Sequence, residues 1–202
     1  MNLTWVEYVV VLIGSFIAGS INTLAGNGSV ITLSLLTELV GLPPNLANGT
    51  NRVGMLLQAA GSSRGFAANK VADMSKARPI IILTIIGAIG GVLTATKVSN
   101  DQFMFVCKYL VVFMLVVVLV KPERWLSETT DKPLSRWLSI PIFLILGFYG
   151  GFIQMGMGIF FIAVMVLLSG YSIIAANAIK TIVVMIYTTI VLAIFAWKGL
   201  VD

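Results

Sequence analysis

At 202 residues the chain is 58% hydrophobic and only 10% charged, with a mean hydropathy of +1.02. A water-soluble domain carries about 25% charged residues, so this composition excludes a soluble globular protein and makes the bilayer the solvent. The net charge of +5 would suit nucleic acid, but the basic residues fall between apolar runs without aromatic interleaving, so no nucleic-acid partner is expected and positive-inside bias explains them.

Residues 5–24 form the first apolar run, with Gly14, Ala18 and Gly19 along it. Gly26-Asn27-Gly28 breaks the run, and residues 30–42 are apolar again. Two full crossings need ~20 residues each. The second piece is well short of that, so the pair reads as a hairpin over 5–42 that dips in and returns to the same side. Unpaired backbone at its tip is tolerable only where protein buries it or a cavity receives it, which places the tip at a site. Pro43-Pro44 ends the hairpin, and Pro44 suits the first turn of a helix over 45–67. That helix carries Asn48, Asn51, Arg52 and Gln58. A polar loop follows, and Pro79 opens a run over 79–96 in which Gly87 and Gly91 have the spacing that lets helices approach closely. After a short turn, residues 103–120 form the next run. A polar, tryptophan-flanked connection over 123–138 then leads into a second hairpin at 140–169, broken near Gly156-Met157-Gly158. A helix at 172–197 carrying Asn177 and Lys180 closes the chain.

The second half repeats the first. Gly19, Asn22, Gly26 and Ala47-Asn48 find counterparts in Gly151, Gln154, Gly158 and Ala176-Asn177. The expected architecture is an all-α integral membrane protein. Its first repeat covers 1–122 and an incomplete second repeat covers 139–202. The two basic loops hold Arg64, Lys70, Lys76 and Arg78, and Lys121, Arg124, Lys132 and Arg136, out of thirteen Lys and Arg in all. Both loops are therefore expected on the cytoplasmic side. An odd number of crossings per repeat then inverts the second copy relative to the first, the logic of secondary transporters, whose sites lie at broken helices.

Histidine is absent and Cys107 is the single cysteine. No intramolecular disulfide, metal ligand set or cofactor is expected, and a Ser-His pair is impossible, so the GNGS stretch is no protease nucleophile. All four aspartates lie in loops or at the end of the chain, which excludes an intramembrane aspartyl pair. Glu7 near the start argues against a cleaved signal peptide.

Arg52 and Lys180 lie eight residues into their helices, ~12 Å deep at ~1.5 Å per residue. A charge at that depth costs ~2.5–3.5 kcal/mol to insert, and no acid in a crossing segment offers to neutralise either one. The partner is a backbone carbonyl, water, or a transported anion. In the last reading the half-helix N-termini after Gly28 and Gly158 add positive dipole ends. Arg52 then offers a planar fork for a sulfonate or carboxylate, and Asn22, Asn27, Asn48, Asn51, Gln154 and Asn177 give the polar lining around Gly26, Gly28 and Gly158. In the bland reading the glycines are packing positions and Asn48 and Asn177 bond neighbouring helices. Lys108 and Glu38 reach to the interface.

The stretches GSFIAGSINTLAGNGSVITL, GLPPNLANGTNR, GFYGGFIQMGMG and ANAIK resemble the sulfite exporter TauE/SafE family of membrane permeases. The resemblance covers essentially the whole chain. It implies an eight-helix, two-repeat permease of the bacterial inner membrane acting on sulfite, sulfonates and related sulfur-containing anions. Members usually carry glycine where Asn27 stands and continue for roughly two more helices past the position of Asp202. The lipid bilayer and a small anion are the expected partners, and the oligomeric state is left open, a homo-oligomer included. The other classes fit less well: a membrane enzyme lacks its residues, and a non-transporting structural or assembly protein gives no reason for the duplicated breaks.

Overall fold

A computed structural model describes residues 4–69, 71–119 and 135–202, as backbone alone at 113–119 and 136. Among the described residues every regular element is helical: α1 (Trp5–Leu24), α2 (Gly28–Ser34), continued by a π-helical turn at Leu35–Leu39, α3 (Pro44–Ala68), α4 (Met74–Ala95), α5 (Asn100–Leu119), α6 (Arg136–Phe152), α7 (Met157–Leu167) and α8 (Ile173–Trp197). Most of the connection expected at 123–138, with Trp125, lies outside the described residues, as does Lys70.

Local chemistry sets the helix starts. Thr4 and Glu7 form a reciprocal capping box at α1, satisfying two donors that the first turn would leave free. Pro44 occupies the first turn of α3. The Ser172 hydroxyl accepts from the Ala175 N–H at 3.2 Å and starts α8. Several starts differ from the sequence reading, α5 beginning at Asn100 rather than 103. Pro79 was expected to open its run, but α4 begins at Met74 because Asp73 accepts from the Ser75 N–H at 3.0 Å and caps an earlier turn. The Ser75 contacts hold the exposed Asp73 carboxyl below its ordinary pKa. Likewise α6 begins at Arg136 rather than 140, with Pro141 inside it.

Among the described residues three helices are long and apolar enough to cross a membrane: α1 with 20 residues, α4 with 22 and α8 with 25. α3 is equally long at 25 residues, but it buries Asn48, Asn51 and Arg52 and is too polar to meet that criterion. Trp5, Trp137 and Trp197 sit at helix ends and are more than four-fifths exposed, the placement expected of interfacial tryptophans. The apolar side chains of α1, including Leu12, Phe16 and Leu24, are likewise exposed, as a lipid-facing helix requires.

α4 and α6 form the closest pair. A Cβ at Gly87 or Gly91 would collide with the carbonyls of Leu144 or Phe148, and a Cβ at Gly147 or Gly151 with those of Thr84 or Ala88. Without a hydrophobic drive between helices in lipid, such backbone contact is what van der Waals packing needs. The packing role read for Gly87 and Gly91 is thus located, and the glycines of α6 interlock with it reciprocally. α3 packs on α8, and α4 on α8 as well, so the polar helix α3 is held against the most buried of the three candidate membrane spans.

Candidate functional site

Both broken helices meet at the centre. α1 ends at Leu24 and α2 starts at Gly28, while α6 ends at Phe152 and α7 starts at Met157. The second break therefore spans 153–156, slightly before the position read from the sequence, and Gln154 and Gly156 turn it with φ of 63° and 72°. Positive φ in a non-glycine residue such as Gln154 is uncommon and clusters at functional sites. Gly26, with φ of 82°, lies directly on Gly158: a Cβ added to either would fall 2.5 Å from the other's Cα. The hydroxyl of Ser29 donates to the Gln154 carbonyl at 3.4 Å and ties the breaks together. Gly28 packs inside its own hairpin, where a Cβ would meet the Ala18 carbonyl and, at 2.7 Å, Asn22 Cβ.

Arg52 is fully buried. Its guanidinium donates to the carbonyls of Gly150 at 2.8 Å and Gly151 at 3.1 Å, to the side-chain oxygen of Gln154, and at 3.4 Å to Asn48 Oδ1. The Phe195 ring lies 5.9 Å from the guanidinium carbon. One turn earlier, Asn48 Nδ2 donates to the Phe152 carbonyl at 2.9 Å. The other half mirrors this. Lys180 Nζ donates to the carbonyls of Asn22 at 3.1 Å and Thr23 at 3.3 Å, and Asn177 Nδ2 donates to Thr23 at 3.0 Å. Thus α3 covers the end of α6, and α8 covers the end of α1. Helix C-termini expose orphan carbonyls with roughly half a negative charge, so an asparagine and a cation on the facing helix satisfy both needs. Neither cation has an acidic partner among the described residues.

Between the breaks lies a cavity of ≈ 10 Å³, lined from the sequence-expected set by Asn22, Gly26, Gln154, Gly158 and Lys180. That volume holds about one water. Arg52 and Asn48 are placed behind it on the carbonyls of α6. Asn51 is also elsewhere, on a groove of ≈ 230 Å³ between α1, α2 and α3 that Ser15, Thr32 and Gln58 share. Met55 lines both spaces and so separates them. Asn27 is half-buried at the first break, its Oδ1 without a partner. At the second break Arg52 Nε and Gln154 Nε2 are also buried without a partner. A buried unmet donor costs ~1–3 kcal/mol.

Tyr187, Met55, Met157 and Val184 complete the cavity wall and were missed by sequence reasoning. The signal was present for two of them, because Val184 and Tyr187 follow Lys180 at the four- and seven-residue spacing of one helix face. Asn22 is held by Gln58, whose side-chain oxygen accepts from Asn22 Nδ2 at 2.7 Å and whose Nε2 donates to Thr23 Oγ1 at 2.7 Å.

Broken helices and apolar, membrane-length helices around buried cations without acidic partners among the described residues mark a multi-pass helical membrane protein. The sequence profile described as "Sulfite exporter TauE/SafE" matches residues 11–202, and the chain belongs to that family. It is similar to a probable membrane transporter protein, ORF9, of Sinorhizobium sp, with 26% identity over 82% of this chain and 63% of the relative. A probable membrane transporter protein, YfcA, of Escherichia coli K12 is 30% identical over 81% and 61%. A further one from Haemophilus influenzae is 25% identical over 81% and 64%. The chain thus spans about three-fifths of the length of these relatives. No solved structure matches.

Proposed function

We propose that the protein is a permease for small oxyanions, with sulfite and small sulfonates as its substrate class, acting in a bacterial inner membrane through an inverted repeat. The observation that carries this reading is the pair of cations at the two breaks, buried without an acidic partner among the described residues. The reciprocal capping, α3 on α6 and α8 on α1, supports the repeat, because a two-fold relation makes every contact occur twice with the halves exchanged. Broken helices at corresponding positions are where such transporters bind substrate. Membership in a family named for sulfite export supports the substrate class.

The test is flux of radiolabelled sulfite and methanesulfonate in proteoliposomes, comparing wild type with Arg52→Gln and Lys180→Gln at matched protein levels. Saturable anion flux in wild type and its loss in the variants is expected. Undiminished flux in both variants overturns the role of the cations, and a preference for cations overturns the permease reading. A second reading, a non-transporting structural or assembly membrane protein, is favoured by one observation: backbone carbonyls already engage both charges. Absence of any anion flux in wild type is its expected outcome.

A further inference from the structure

The sequence treats Arg52 and Lys180 as equivalents, yet the structure gives them different surroundings. Lys180 lines the cavity between the breaks, whereas Arg52 does not. An ammonium has three donors, and the carbonyls of Asn22 and Thr23 engage two of them. The terminal nitrogens of Arg52 are engaged by two carbonyls and two amide oxygens. Its remaining donor, Nε, is enclosed with the rest of a side chain that has no exposure.

Gln154 supplies the second observation. It is 3% exposed, lines the cavity, and leaves Nε2 without a partner while its Oε1 accepts from Arg52. An arginine can only donate. The guanidinium therefore dictates which end of the amide faces it and leaves the NH2 group on the other arm of a residue that lines the cavity. The residue is held there despite a φ of 63°, a conformation that persists only where the surroundings impose it. Gln154, with an unpaired Nε2, and Lys180, with one donor left over, thus line one small space between the two breaks.

We infer that Gln154 and Lys180 are the side chains that contact the transported oxyanion, and that Arg52 is a positioning residue that fixes the Gln154 amide with its NH2 group toward the cavity. The inference rests on the permease reading and assigns roles within it. A sulfite or sulfonate presents only acceptor oxygens, so an amide NH2 and an ammonium match it where a carboxylate would repel it. Tyr187, on the same face of α8, lines the same space, and its hydroxyl donates only weakly to Met157 Sδ at 3.9 Å.

The deciding variant is Gln154→Glu, which keeps an acceptor for Arg52 but replaces the donor with negative charge. Saturation kinetics of sulfite flux in proteoliposomes are measured beside the thermal stability of the purified chain. The expected result is a KM raised about tenfold or more, equivalent to ~1.4 kcal/mol, with stability equal to or above wild type because the new carboxylate would pair with Arg52. Arg52→Lys keeps the charge but not the fork, and is expected to raise KM while leaving kcat within about twofold, the signature of lost ground-state and transition-state binding alike. Unchanged KM in Gln154→Glu overturns the inference while the permease reading stands. No saturable flux in wild type overturns both. If Gln154→Glu does not reach the membrane, Gln154→Gly replaces it, since glycine accepts the positive φ and deletes the amide, and unchanged KM there is equally fatal.

Discussion

The contact of Gly26 with Gly158 is where the two breaks depend on each other most directly, and its cost can be decomposed by substitution. Gly26→Ala meets two penalties. A non-glycine residue in the left-handed region costs ~1–2 kcal/mol, and a Cβ placed 2.5 Å from Gly158 Cα forces backbone apart, an overpacking cost of ~1–3 kcal/mol. The total expected is ~2–5 kcal/mol. Gly158→Ala meets only the steric penalty, since its φ is not positive, and should cost ~1–3 kcal/mol. Gly41 isolates the other part: its φ is 75° but nothing lies within 4 Å of an added Cβ, so Gly41→Ala should cost ~1–2 kcal/mol. In the double variant Gly26→Ala/Gly158→Ala the breaks separate once rather than twice, so its cost should fall short of the sum by ~0.5–3 kcal/mol. Unfolding by sodium dodecyl sulfate in mixed micelles, followed by circular dichroism, measures all four. Costs for Gly26→Ala no greater than for Gly41→Ala, or strict additivity in the double variant, would refute the close approach of the two breaks.

Two further outcomes are expected. Gly87→Leu or Gly91→Leu should prevent the α4–α6 pair from closing and sharply lower the yield of folded protein in membranes, whereas Gly61→Leu, at a position where an added Cβ meets nothing within 4 Å, should leave the yield unchanged; equal yields of all three would remove the interlocking glycines from the account. In a background lacking Cys107, a cysteine at 76 should be shielded from an impermeant thiol reagent applied to whole cells, and one at 98 modified by it; the reverse pattern would invert the topology read from the basic loops.

What the sequence disclosed and what it withheld divide along range. Gly26 and Gly158 were legible because a break repeated in both halves leaves a local mark, and Arg52 and Lys180 because a charge inside an apolar run is conspicuous in one dimension. Their partners were not legible. Arg52 reaches Gly150, 98 positions along the chain, and Lys180 reaches Asn22, 158 positions back; main-chain carbonyls are present at every residue and carry no sequence signature. The carbonyl partners therefore became visible only in the fold. Tyr187 looked like any aromatic on an apolar helix, although its spacing from Lys180 already put it on the same face. The start of α4 was misplaced for a different reason. Pro79 is a strong start signal, but the Asp73 cap lies upstream and won.

The reciprocal caps explain why cations stand at these breaks, yet they do not use up the charge. In water a broken helix end would be hydrated. In lipid its carbonyls must find protein donors, and an asparagine with a lysine or arginine one turn away supplies several at once. Two unit cations face two helix C-termini of roughly half a negative charge each, so about one positive charge is left over. The N-terminal ends that α2 and α7 present at the same breaks carry roughly half a positive charge apiece and increase that excess rather than cancelling it. A purely structural cap would be served by neutral donors, and the Asn48 and Asn177 amides already play that part. The surplus positive field inside an apolar bundle, where effective dielectric is low and charge interactions strong, is the physical ground on which the proposed anion rests, because neutral donors alone would have met the capping need.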